Sequence, residues 1–522
     1  MSKNIQRSQP KQLLADIIVS ADQMRQVEEY LFSQGMPVAA LMEKAALLIS
    51  DRLQQLYPVL LYPQVGILVG PGHNGGDALV IARELWLGGY QVQIYCPFNQ
   101  LKALTKTHAQ YAQSLGISFV DDVSQLQNSN FLVDGLFGFG LTRALTNNIA
   151  EIITEVNQWQ LPIASIDIPS GLHTDTGEVL GTAIVASQSF CLGLWKLAYF
   201  QDQALPYLGQ VERLDFGIPA HFLQASLAHQ ITPKMLSQSL ALDCLPLPRP
   251  LLTHKYQQGH LLLICGSRRY AGGAILAALG ARASGIGMLS IAVPATLKPL
   301  LVSHLPEALI IDCPETVSGA IADLPHLIED FSQYSLIAIG PGLTLECQAL
   351  VDQILKADIP VIVDADGLTS LAQLGVNQIL SQRSKPTILT PHLGEFKRLF
   401  PELNNPNTDR IQSVQQSAKT SQGIILLKGA RTAIAAPDGQ TWLIPESTPA
   451  LARGGSGDVL TGLMGGLLAQ SLKSHYSLAQ IVATAAWWHA QAGILAVKER
   501  TELGVDAFTL SQYLTLAIKQ FS

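Results

Sequence analysis

Two glycine-rich stretches carry the residue types that could do chemistry. In Leu451–Leu463, reading LARGGSGDVLTGL, Gly454, Gly455 and Gly457 run into apolar residues at helical spacing, so Asp458 falls at a helix start. Unpaired N–H groups and the positive end of the helix dipole attract phosphate there, and a carboxylate in the same turn can take a proton from a hydroxyl. The combination suits phosphoryl transfer to an alcohol, although glycines before an Asp also make an ordinary cap. In the first half, Gly70-Pro71-Gly72-His73-Asn74-Gly75-Gly76-Asp77 follows the apolar run Val65–Val69, with Gly70, Gly72 and Gly75 at G-x-G-x-x-G spacing. Asn74 in that loop, Asp134 after Phe131–Val133 and Ser170 after Ile163–Ile166 offer oxygen donors that suit a hard cation, or else act as turn and cap formers. Asp167, at a strand end beside glycine-rich loops and with Lys196 further on as a partner, reads as a chemical rather than a structural residue.

The elements that must position these residues are α/β units in both halves. Residues Ala21–Gln55 carry an apolar helical stripe through Leu41, Ala45, Leu48 and Leu53. Strands are predicted at Val65–Val69, Val92–Cys96, Ile117–Val120, Phe131–Val133 and Ile163–Ile166, with a helix over Ala78–Leu87. The second strand ends in Pro97-Phe98-Asn99, with no acid for a ribose hydroxyl, which argues against an ordinary NAD dehydrogenase site. Prolines 246, 248 and 250 break regular structure, and the domain boundary is predicted between Gln224 and Ile231. This gives a first domain over 1–225, a linker and domain entry over 226–250, and a second domain over 232–522. Further strands are predicted at His260–Cys265, Leu289–Val293, Leu336–Ile339, Val361–Val363, Thr387–Leu389 and Ile424–Leu427. Their ends carry Gly340-Pro341-Gly342, Asp364-Ala365-Asp366-Gly367, Thr390-Pro391-His392-Leu393-Gly394-Glu395 and Lys428-Gly429. Together with Leu451–Leu463, these turns on one edge of a parallel sheet describe a cleft for a nucleotide and a second substrate. His392 by itself also reads as a satisfied core histidine, whereas Lys428, straight after the run IILL, must emerge where phosphate is expected.

At 522 residues, 48% hydrophobic and 14% charged, the chain is long enough for two or three buried cores. Forty acidic against 33 basic residues give a formal charge of −7, and no basic cluster is interleaved with aromatics, so nucleic acid is not an expected partner. The six cysteines stand singly, as thiols of a reducing, cytoplasmic compartment rather than a disulfide frame or zinc site. No apolar segment follows Lys3, Arg7 and Lys11 before Asp16, which speaks against a signal peptide. Gly272–Pro294 reads as a small-residue helix and a buried strand, so no membrane partner is expected.

GPGHNGGD, VDGLFGFG, SIDIPSG and Lys196 together resemble the NAD(P)H-hydrate epimerase domain, over nearly all of residues 1–225. The resemblance implies a Rossmann-like three-layer sandwich that interconverts the R and S forms of NAD(P)H hydrated at nicotinamide C6. It also implies a potassium ion held by Asn74, Asp134 and Ser170, with hydrate contacts at His73, Asn74, Gly75, Gly76 and Asp77 and at Gly138, Phe139, Gly140, Leu141 and Thr142. Asp167 is implied as the catalytic acid/base, joined by Lys196. His73, Ala78 and Trp195 depart from the residues usual at those positions.

Gly455-Ser456-Gly457-Asp458 resembles the G-x-G-D motif of the ribokinase-like superfamily. GSRRYAGGAILAA, GPGL, DADGL, TPHLGE, LLKGART and GGSGDVLTG, in this order within residues 232–520, resemble more narrowly the ADP-dependent NAD(P)H-hydrate dehydratase. A ribokinase-like three-layer sandwich is implied, with ADP contacts at Lys428, Gly429, Ala430, Arg431, Thr432 and Gly457 and magnesium bridging the nucleotide phosphates. Hydrate contacts are implied at Ala274, Gly342, His392 and Asp458, with Leu393 replacing a usual Pro. In the implied reaction Asp458 accepts the C6 hydroxyl proton as that oxygen attacks the β-phosphate of ADP; the ester then eliminates, giving AMP, phosphate and the dihydronicotinamide. Hydrated NADH and NADPH are the expected substrates, and a homo-oligomer is expected. A ribokinase-type small-molecule kinase and a non-catalytic dinucleotide-binding regulator are the rival readings.

Overall fold

The computed structural model of the protein describes residues 15–228, 230–328, 330–403 and 409–521; Lys3, Arg7 and Lys11 lie outside the described residues. The chain divides into two compact units, 1–232 and 233–522.

Among the described residues of the first unit, seven strands make one parallel sheet. These are β1 (Gln64–Val69), β2 (Gln91–Tyr95), β3 (Ser118–Val120), β4 (Phe131–Gly135), β5 (Ile163–Ile166), β6 (Gln188–Leu192) and β7 (Gln210–Leu214), in the order β3-β2-β1-β4-β5-β6-β7. Successive side chains on a strand leave on opposite faces, and here both faces are buried, which is why the strands read as continuous apolar runs. Val65, Ile67, Val69, Phe131, Val133, Ala164 and Ile166 pack with α1 (Ala21–Ser33), α2 (Val38–Leu56) and α3 (His73–Leu87). Leu68, Leu132 and Ile163 pack on the other side with α4 (Asn147–Gln158). Helix α3 begins at His73 rather than at the predicted Ala78, so His73–Asp77 forms its opening turns instead of a loop. A Cβ on Gly75 would lie 1.9 Å from Gly70 O, so this glycine serves the close approach of helix and strand.

The described residues of the second unit hold a ten-stranded sheet. Its strands are β8 (Lys234–Met235), β9 (His260–Ile264), β10 (Met288–Pro294), β11 (Leu309–Cys313), β12 (Leu336–Ile339), β13 (Val361–Val363), β14 (Thr387–Leu389), β15 (Ile424–Leu427), β16 (Ala433–Ala435) and β17 (Thr441–Leu443). The order is β8-β17-β16-β15-β14-β13-β12-β9-β10-β11, parallel except where β16 meets its two neighbours. Flanking helices include α5 (Ala271–Ala283), α6 (Leu393–Leu399), α7 (Arg410–Ser421), α8 (Ser456–Ser471), α9 (Leu478–Arg500) and α10 (Ala507–Lys519). Leu261, Leu263, Ala338, Ile362, Ile388 and Leu426 bury against α5, α8, α9 and α10. The alternate residues Leu262, Ile264, Ile337, Val363, Leu389 and Ile425 are equally buried and face the opposite way, so this sheet too is a middle layer. Residues 234–235 already pair with β17, and Leu236, Ala241, Cys244 and Leu245 are buried in this core.

Helices α5 and α8 meet through small residues. A Cβ on Gly462 would come within 1.7 Å of Ala277 O, and one on Gly280 within 2.2 Å of Val459 O. This contact sets the start of α5 beside the start of α8. Both units are α/β, as the alternation of strands and helices predicted. No helix among the described residues is long and apolar enough to cross a membrane.

Candidate active sites

At the carboxyl edge of the first sheet a cavity of about 700 Å³ is lined by residues that include Arg25, Glu28, His73, Asn74, Asp77, residues 136–143, Asp167 and Lys196. Asp167 leaves β5 with φ +64°, a left-handed conformation uncommon for a residue with a Cβ. Its surroundings over-determine that geometry, as such strain at a site requires. Asp167 N donates to Phe190 O at 2.9 Å, and Oδ1 accepts from Lys196 Nζ at 2.5 Å and Leu192 N at 3.3 Å. Oδ2 accepts from Phe139 N at 3.2 Å, and the Tyr199 hydroxyl donates to Asp167 O. The Lys196 and Asp167 side chains are 0% and 5% exposed, so their ion pair is sealed from bulk water on the protein side. Burial works against the Lys196 charge, but Asp167 beside it prevails and the ammonium pKa is raised. Burial pushes Glu28 up to about 7, opposed by Lys196 and reinforced by Asp167. Asp77 is held well above the usual carboxylate range by burial and by the charges of Asp167 and Glu28. Lys196 thus pairs with Asp167, while burial favours the protonated forms of Glu28 and Asp77.

Asn74, the turn after β4 and Ser170 converge beneath this cavity. The Asp134 carboxylate, 0% exposed, accepts from Ser170 Oγ at 2.6 Å, Ser170 N at 2.9 Å, Ser165 Oγ at 2.8 Å and Leu136 N at 3.2 Å. Burial raises its pKa, and hydrogen bonds, those from Ser170 first, oppose the rise. Asn74 Oδ1 lies 2.9 Å from where a Gly138 Cβ would stand, and buried Asn74 Nδ2 has no hydrogen-bond partner. A buried carboxylate bonded to neutral donors, grouped with an amide and a hydroxyl oxygen, is a donor set that fits a monovalent hard cation. Gly75 and Gly76, by contrast, do not line the cavity; a Cβ on Gly76 would press on Met42.

In the second unit the ends of β12, β13, β14 and β15 share one edge of the sheet, and α8 starts there. Gly455 caps α8 with φ +89° and no side-chain cap, so the first-turn N–H groups are left for an anion. Asp458 follows in that turn. Burial pushes its carboxyl up to about 7; Asp364 and Asp366 add to the rise and Lys428 opposes it. Lys428 Nζ is 2.9 Å from Asp364 Oδ1, and Thr461 Oγ1 donates to Asp364 Oδ2 at 2.6 Å. Burial would raise Asp364, but Lys428 and Thr461 hold it below its usual value. Burial disfavours the Lys428 charge as well, yet Asp364 and Glu395 raise its pKa. The Lys428 ammonium also lies 3.3 Å from the Cβ position of Gly457, so a cation flanks the open helix end.

The other predicted residues of this cleft have distinct placements. Gly273 lies next to both Asp458 and Gly342: its Cβ would stand 3.3 Å from Asp458 Oδ2 and 3.6 Å from Gly342 Cα. The Ala274 side chain is 0% exposed and packs under Gly266, leaving only its main chain to face a ligand. His392 is half-exposed and caps α6: its Nδ1 accepts from Gly394 N at 3.0 Å, while Glu395 Oε2 accepts from His392 N at 2.8 Å. The loop Lys428–Thr432 is braced by Arg410, which donates to Arg431 O at 2.5 Å and Lys428 O at 3.4 Å, and Gly429 and Ala430 are exposed on it.

Sequence reasoning did not single out Glu28, and it placed Asp364 and Glu395 in the cleft turns without an individual role. Glu28 sits on a helix among other charges, Asp22, Arg25 and Glu29, and nothing in its spacing singles it out. Glu395 had a legible signal, an acid three residues after a helix cap, and burial raises its pKa, with Lys428 opposing and Asp364 adding to the rise.

A family model described as NAD(P)H-hydrate dehydratase matches residues 261–516, and one described as YjeF-related protein N-terminus matches residues 38–198. The bifunctional NAD(P)H-hydrate repair enzyme of Synechocystis sp. is 57% identical over 504 residues, covering 97% of this chain and 95% of that protein. The enzyme of the same name from Gloeobacter violaceus is 46% identical, covering 96% of this chain and 97% of that protein. Among solved structures, the ADP/ATP-dependent NAD(P)H-hydrate dehydratase of Bacillus subtilis, crystallised with ATP and Mg2+, is 34% identical with a TM-score of 0.47, covering 55% of this chain and 98% of that one. With both units matched in order and nearly the full length shared, the chain belongs to the family of bifunctional NAD(P)H-hydrate repair enzymes.

Proposed function

We propose that the first unit epimerises R and S hydrates of NADH and NADPH and that the second dehydrates the S form at the expense of ADP. The observation that carries the second step is Asp458, a carboxyl at about 7 in the first turn of an uncapped helix, with Lys428 flanking the same turn. As a base, Asp458 takes the C6 hydroxyl proton while that oxygen bonds to the β-phosphorus and AMP leaves. The C6–O bond of the ester then breaks, phosphate leaves with the electron pair, and loss of a proton from C5 restores the ring double bond. Backbone N–H groups at Gly457 and Asp458, with Lys428, stabilise charge on the transferred group. Magnesium would enter with the nucleotide and neutralise its phosphates.

In the first unit, Asp167 is the acid/base, and Lys196 orients it through their 2.5 Å pair. Asn74, Asp134 and Ser170 would hold potassium, which would supply fixed positive charge beneath the loop 136–143. The cavity-lining residues His73, Asn74, Asp77 and Gly138–Thr142 would contact the dinucleotide. The six unpaired cysteines suit a reducing compartment, and we place the enzyme in the cytoplasm. The test is recovery of absorbance at 340 nm from mixed R and S hydrates. Asp458→Asn should slow dehydration by about 10²–10⁴ and leave epimerisation intact, since general-base catalysis is typically worth that much. An Asp458→Asn enzyme dehydrating at full rate would remove Asp458 from the mechanism.

A further inference from the structure

His489 lies in the middle of α9, 7% exposed, among alanines and tryptophans of the second core. A ring nitrogen so placed needs a partner, since an unpaired buried polar group is costly. Its Nε2 is 3.0 Å from Ser456 O and 3.3 Å from Ser456 Oγ. A carbonyl oxygen only accepts, so Nε2 carries the proton and donates to it. Ser456 C=O and Gly457 N–H are the two ends of one planar peptide group. Holding the carbonyl therefore fixes the direction of the Gly457 N–H, which points out of the first turn of α8 beside Lys428. Hydrogen bonds in series also strengthen one another, so a donor on the carbonyl makes that N–H a better donor.

We propose that His489 is a positioning residue for dehydration: through the Ser456–Gly457 peptide it aims and polarises the N–H that receives the transferred phosphoryl group. This rests on the reading of the α8 start as the anion hole. The imidazole stays neutral across the working range, because burial and the Lys428 charge lower its pKa to about 4. It acts as a fixed donor, without proton transfer.

The test compares His489→Phe, which fills the slot without a donor, with His489→Gln, which restores one, and runs Asp458→Asn alongside. Phe should lower dehydratase kcat about tenfold, in the lower range for an anion-hole contact because it acts through a peptide, and leave the KM for the hydrate unchanged. Gln should recover kcat to within about threefold, and both should epimerise normally. Should His489→Phe not fold, His489→Leu takes its place. A Phe enzyme within twofold of the unmodified rate, or a Gln enzyme as slow as Phe, would overturn the proposal, the second by showing that packing alone matters. Asp458→Asn separates the two failures. If Asp458→Asn is slow and Phe is fast, only the role of His489 falls; if Asp458→Asn is fast, the site itself is misread.

Discussion

The raised carboxyl of Asp458 makes the acid limb of the dehydratase profile a direct readout of its surroundings. With the pKa at about 7, only about 1% of Asp458 is ionised at pH 5, whereas a carboxyl at the ordinary 3.8 would be above about 90% ionised there. The base works when deprotonated, so kcat/KM should climb roughly tenfold per pH unit up to about 7 and then level off. Two substitutions should move this limb in opposite directions. Lys428→Gln removes the positive charge that lowers Asp458, shifting the limb to higher pH. Asp364→Asn removes the negative charge that raises it and also releases Lys428 from its 2.9 Å pair; both effects lower the Asp458 pKa and shift the limb to lower pH. The assay is the initial rate of 340 nm absorbance recovery from purified S hydrate at saturating ADP, with enzyme-free decay subtracted at each pH. A profile flat from pH 5 to 8, or two variants shifting the same way, would refute the electrostatic reasoning.

Asp167→Ala should leave dehydration of the S hydrate untouched while R hydrate is consumed only at its spontaneous epimerisation rate, a loss of about 10²–10⁴ in epimerase turnover; R consumption at the original speed would remove Asp167 from catalysis. Exchanging potassium for tetramethylammonium should lower the melting temperature of the first unit, and Asp134→Asn should abolish the difference, since the buried carboxylate supplies the charge that retains the ion. Equal melting in both salts would count against a cation at Asn74, Asp134 and Ser170. Gly462→Val places a Cβ where Ala277 O already stands, 1.7 Å away, and should destabilise the second unit by about 1–3 kcal/mol, read by calorimetry as a shift of one transition only.

Parallel strands written as apolar runs were legible, since both their faces are buried: Leu336–Ile339, Val361–Val363, Thr387–Leu389 and Ile424–Leu427 coincide with β12 to β15, whereas Gln188–Leu192, equally buried but opening on Gln and Ser, was missed. Strands with less apolar patterning were not legible either. Gln210–Leu214 is an edge strand of half-buried residues, Leu309–Cys313 is an edge strand partly open to solvent, and Ala433–Ala435 and Thr441–Leu443 are short and antiparallel. The helix start at His73 was hidden because Gly75 and Gly76 read as a turn, when their lack of a side chain lets α3 touch β1 and α2. Motif glycines and strand-end acids pointed to both clefts. Which acid tunes which site was not legible: Asp364 and Glu395 couple to Lys428, and Glu28 to Asp167 and Lys196, across distances in sequence that spacing does not reveal.

The two sites use the same pair of groups, a lysine and a carboxylate, with opposite wiring. In the first unit Lys196 bonds directly to Asp167 at 2.5 Å. In the second, Lys428 bonds to Asp364 instead, and Thr461 completes that carboxylate. Asp458 then feels burial and two neighbouring carboxylates with only an indirect cation, which carries it to about 7. An ion pair at Asp458 would stabilise its charged form and lower its pKa. Diverting the lysine to Asp364 keeps a positive charge beside the helix N-terminus, where phosphate is expected, while leaving the base with a pKa matched to near-neutral pH. On this wiring Asp364 tunes the proposed base without replacing it: its charge adds to the rise at Asp458 and it holds the lysine away, so its loss moves the acid limb rather than removing the base.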